Sequence, residues 1–81
     1  MELVLVEWLD SRRGEGWVRL DEVREESVTH CKSVGWVIAQ NSTSVTIAGH
    51  IGDNPEQCCG DMTIPAKSIL KIRKLRPNPI Q

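Results

Sequence analysis

The chain has 81 residues, a formal net charge of −1 and 40% hydrophobic residues, enough for one domain with one small core. That balance lacks the basic excess by which many proteins hold nucleic acid, and no run of about 20 apolar residues is present to span a bilayer. There is no Phe or Tyr, and the aromatic residues are three tryptophans. The core must therefore come from Val, Ile and Leu, the residues that favour strands.

Leu3 to Leu9 is an apolar run broken only by Glu7. It predicts a first strand with Val4, Val6 and Trp8 on one face and Leu3, Leu5 and Leu9 on the other. Asp10 to Gly16 is a polar, glycine-flanked turn. Trp17–Leu20 resumes as a short strand, and Asp21 is placed to cap one or two helical turns over the charged segment to Ser27. The next strand falls within Val28–Ala39, where Gly35 marks a bulge or bend. Gln40–Thr43 is a turn by composition. Ser44–Ile51 is another strand, with Val45 and Ile47 facing away from Thr46, Ala48 and His50. Gly52–Gln57 reads as a surface loop.

The last stretch is the most telling. Met62-Thr63-Ile64 alternates as a half-buried strand does, and Pro65 ends it for want of a ladder donor. Ala66-Lys67-Ser68 suits a single helical turn. Ile69–Leu75 restarts an extended pattern. The whole predicts five short strands in one all-β domain over residues 1–76, a highly bent small barrel with a short helix or loop insertion after the first strand. Residues 77–81 form a prolyl, flexible tail.

Charge is unevenly spread. Residues 1–30 carry eight acidic and four basic side chains, whereas residues 61–81 carry one and five. Either the two ends pair as neighbouring strands, or they meet between copies in a head-to-tail ring. A domain this small gains stability by association, so a homo-oligomer is expected. Three cysteines, two of them adjacent (Cys58-Cys59), do not make a disulfide framework. Together with a start lacking a basic, apolar leader, they point to a reducing, cytoplasmic setting.

The strand order over Ser33–Gln40, Ser44–Ile51 and Met62–Leu75 resembles the Sm-like barrel of the Sm and Hfq proteins. That resemblance implies a ring in which the fourth strand of one copy (Met62–Ile64) pairs with the fifth of the next (Ile69–Leu75). It also implies single-stranded RNA or a nucleotide as ligand. The chain departs from the class in three respects. No helix precedes Leu3, and neither the glycine-centred signature of Sm proteins nor the Tyr-Lys-His signature of Hfq is matched at Ile64-Pro65-Ala66-Lys67. Its short, tryptophan-containing form with an I-P-x-x-S-I ending is similar to small proteins of tailed bacteriophages. Some of these form rings that sequester cyclic nucleotide signals of host defence.

No catalytic constellation is visible: no H-E-x-x-H, no phosphate loop, no nucleophile elbow. An enzyme and a cofactor are not expected. No C-x-x-C pair is present for a structural metal. The expected function is non-enzymatic binding of a nucleotide-type ligand. Trp17 would stack on the base, and Arg12, Arg13 and Lys67 would hold phosphate. Ser68 in the tight turn and His50 on its strand are further contacts. Trp8 and Trp36, inside apolar strands, read as core. Two rival expectations stand beside this one: single-stranded RNA binding on a ring surface, and a protein-interaction module that offers a strand edge.

Overall fold

A computed structural model describes residues 1–11, 16–23 and 28–76 of the 81. Five antiparallel strands form one sheet: β1 (Leu3–Asp10), β2 (Thr29–Gln40), β3 (Ser44–Asp53), β4 (Glu56–Pro65) and β5 (Ile69–Leu75). Two single-turn 3-10 helices complete it, η1 (Leu20–Glu22) between β1 and β2, and η2 (Ala66–Ser68) between β4 and β5. The order across the sheet is β4-β3-β2-β1-β5. The first and last strands are therefore neighbours, with Leu3 opposite Leu75 and Glu7 opposite Lys71. The acidic and basic ends of the chain meet within one copy, and a Lys74–Glu2 ion pair of 3.1 Å joins them.

That order forces curvature. β4 and β5 are the two edges, which in a flat sheet would lie about 19 Å apart at the usual strand spacing. Only η2 connects them, and a 3-10 turn with its flanking residues covers about 8 Å. The sheet must curl until its edges approach at this corner. β2 supplies the bend. Its Thr29–Trp36 part pairs with β1, its Trp36–Gln40 part pairs with β3, and the register slips between Val37 and Ala39. Gly35 is buried at the pivot, where a Cβ would sit 3.0 Å from both the Ala48 carbonyl oxygen and the Ile47 Cβ. No larger residue fits without movement, so the predicted bend has a steric cause.

Curling sets the inner faces of β1, β3 and β4 against each other. Val4, Val6, Val45, Ile47 and Ile64 form the core, with Trp8, Val37 and Ile69 packed on it. Each fully buried aliphatic side chain contributes about 1.5–3 kcal/mol of transfer free energy, so five are a small core. The Trp8 indole N–H donates to Ser33 Oγ at 3.0 Å, which satisfies its polar atom against the core.

Several expectations change. Trp17–Leu20 is not a strand: Trp17 and Val18 are exposed coil, and Leu20 begins η1. Asp21 is not a cap. It lies inside η1 and pairs with Arg19 at 3.0 Å, while η1 has no side-chain cap. The Gly52–Gln57 loop shrinks to Asn54–Pro55, because β3 and β4 run on as a ladder to Asp53 and Glu56. Gly60, at φ +69°, is kept in β4 by a left-handed backbone that glycine adopts freely. Of the expected bent barrel, the five antiparallel strands in one all-β sheet are present, and the sheet is not closed, since β4 and β5 do not pair. The expected tail, residues 77–81, lies outside the described residues.

Candidate functional site

Register decides which side chains share a surface. Leu3 stands opposite Leu75 on one side and Trp36 on the other. These three lie on the face of β1 away from buried Val4. Trp36 in turn stands opposite Ala48 on β3, which is fully buried. The Val37 N–H donates to the Glu2 carbonyl at 2.8 Å and holds the start of the chain against β2. The result is a cleft of about 490 Å³ lined by Met1, Glu2, Leu3, Trp36, Lys74, Leu75 and Arg76.

The chemistry of this cleft is one-sided. Trp36 is half-buried and presents an aromatic wall. Lys74 stands opposite Val4, so it and Arg76 alternate with Leu75 at the end of β5 and reach the cleft from the other face, where Lys74 meets the Glu2 carboxylate at 3.1 Å. Unlike that of Trp8, the Trp36 indole N–H has no hydrogen bond among the described residues. An aromatic face beside an ammonium and a guanidinium suits a planar group carrying negative charge.

Two neighbouring clefts are smaller. One of about 330 Å³ shares Met1 and is lined further by Ile38, Ile51 and Cys58. The other, about 270 Å³, lies between His50 and Cys59, which face each other across β3 and β4. Among the described residues no three His, Cys, Asp or Glu side chains gather as a metal site.

The residues expected from sequence do not converge. Arg12 and Arg13 lie outside the described residues. Trp17 is fully exposed beside η1. Lys67 and Ser68 are on η2, which is tethered to the β2–β3 turn by an Ala66 N–H to Thr43 carbonyl bond of 2.8 Å. His50 lies six residues along β3 from Ser44, the residue paired with Pro65 beside η2. That is about 20 Å of strand. Neither Trp17, Lys67 nor Ser68 lines any of the three clefts.

What sequence reasoning missed is Trp36, Lys74 and Arg76. Trp36 was expected in the core, and β5 is only a strand edge until β1 places its end beside Trp36. The available signal was the parity of β2: with Gly35 turned inward, Trp36 must face out. The chain matches no protein family, no curated protein and no solved structure.

Proposed function

We propose that this chain is a non-enzymatic, oligomeric binding protein for a nucleotide-type ligand, held in the Trp36–Lys74–Arg76 cleft. The base stacks on Trp36, and phosphate is held by Lys74 and Arg76. The observation that carries this reading is the meeting, in one cleft, of an aromatic wall with two cations. At about 490 Å³ the cleft falls in the size range of small-ligand sites. Sequestration of a signalling nucleotide, as in small phage proteins of similar appearance, is the specific form of the proposal.

The open edges support assembly. β4 and β5 each leave one side of their backbone unpaired within the sheet, a state that invites pairing with another chain. The strand order, the bent β2 and the η2 corner support an Sm-like barrel that completes itself by joining β4 of one copy to β5 of the next.

Calorimetry with mononucleotides and cyclic dinucleotides tests the site. One ligand saturates at a fixed stoichiometry per cleft, and Trp36→Ala and Lys74→Ala each weaken it at least tenfold. Equal binding by both variants sinks the proposal. A second reading, single-stranded RNA, is favoured by the polar corner where Lys67 stands beside the Asn41–Thr43 turn. RNA binding there falls steeply with salt, because each phosphate contact releases counterions, and it responds to Lys67→Ala but not to Trp36→Ala.

A further inference from the structure

Two surfaces complement each other, an exposed apolar segment and a mixed apolar and basic face of the sheet. The first is the segment around η1. Trp17 is 104% exposed and Leu20 94%, and Val18 and Val23 are each 60% exposed. Four large apolar side chains in seven residues are thus more than half exposed, and the segment keeps local polar contacts. The Glu22 N–H donates to the Arg19 carbonyl at 2.9 Å, and Arg19 pairs with Asp21. Concentrated exposure of this kind marks an interaction surface.

The second is the outer face of β5, β1 and β2. Opposite the buried Val4 and Val6, Leu5 and Leu9 are half-buried on β1, and Val34, opposite Leu5, is 56% exposed. The rim is basic. Glu7 has Lys32 on one side and Lys71 on the other. Arg73 stands opposite Leu5, so no carboxylate lies opposite it on β1.

We infer that the Trp17–Val23 arm of one copy docks on the outer β5–β1–β2 face of a second copy, reciprocally, as a two-fold dimer. Glu22, whose neighbour Asp21 is already paired with Arg19, brings negative charge to Lys71 and Arg73. A tryptophan alone buries about 150–250 Å². Two reciprocal arms with their receiving faces reach the order of 1,600 Å² that a stable complex buries. A reciprocal contact closes on itself and does not propagate into fibres. A lipid surface is a poor occupant for this arm, since anionic headgroups repel Asp21 and Glu22. The contact uses the outer face of β5 rather than its unpaired backbone, and it begins two residues along β1 from the Leu3–Trp36–Leu75 row.

Sedimentation velocity over a range of concentrations tests the inference. Trp17→Ser with Leu20→Ser halves the mass of the assembly and leaves the far-ultraviolet dichroism unchanged, because both side chains are exposed, and its unfolding midpoint no longer rises with protein concentration as that of the wild type does. Glu22→Arg and Arg73→Glu each weaken association several-fold, and the two together restore it. Three results overturn it: the double serine variant keeps the wild-type mass, the wild type is monomeric at every concentration, or the wild type floats with phosphatidylcholine vesicles instead of pairing.

Discussion

The fold rests on a few positions where one atom decides the outcome. Gly35 is one: Gly35→Ala must push aside the Ala48 backbone or the Ile47 side chain, both 3.0 Å from the new Cβ. The expected cost is about 1–3 kcal/mol, read as a lower urea midpoint with an unchanged slope. Asn41 is another. Its side-chain oxygen accepts the Thr43 and Ser44 N–H groups at 2.8 and 3.0 Å, so Asn41→Ala loosens the β2–β3 turn by about 1 kcal/mol. The three tryptophans are in three different states, and acrylamide quenching should resolve them. Trp17 is open to water, whereas Trp8 is held on the core by Ser33 and Trp36 lines a cleft. Quenching of Trp17 should fall with rising protein concentration if the arm docks, and Trp17→Ser should abolish that dependence.

At the scale of elements, the edges carry the consequence. β1, β2 and β3 each have two partners, so their ladders are satisfied; β4 and β5 have one each. Met62 on β4 and Ile72 on β5 are 37% and 39% exposed, partly apolar at an unpaired edge. A lysine at such a place blocks edge-to-edge pairing. Met62→Lys or Ile72→Lys should therefore reduce the copy number seen by native mass spectrometry, with only a modest loss of stability. Ile64 differs: it is fully buried in a core of five side chains. Ile64→Ala should cost about 2–5 kcal/mol, a large part of what so small a domain has. Much of this level was legible in sequence. β5 and η2 fall where alternation and Pro65 placed them, because period-two burial and a missing donor are local facts. The β3–β4 hairpin is longer than the sequence implies, because Gly52 and Asp53 look like loop residues unless a partner strand holds them.

For the whole molecule, two kinds of contact are proposed, and they are separable. Edge pairing would build a ring from β4 and β5, and the arm would join copies through sheet faces. If both operate, an edge variant should leave dimers, and an arm variant should leave a single ring. Ligand binding should survive the arm variant, since Trp36, Lys74 and Arg76 belong to one copy. Loss of binding along with the arm would place part of the ligand site in the second copy.

The sequence by itself determined the class of the fold and the positions of its bends. Alternation, glycine and proline act through the nearest residues, so they can be read without knowing what lies beside them. It also set an acidic start against a basic end, and left open whether they meet within a copy or between copies. Tertiary structure decided that by pairing β1 with β5. It decided the site in the same way. Residues 3, 36 and 75 are far apart in the chain, and only the shared register of β1 puts them in one row. Parity says that Trp36 faces outward; only the neighbouring strands say that the end of β5 lines the same cleft.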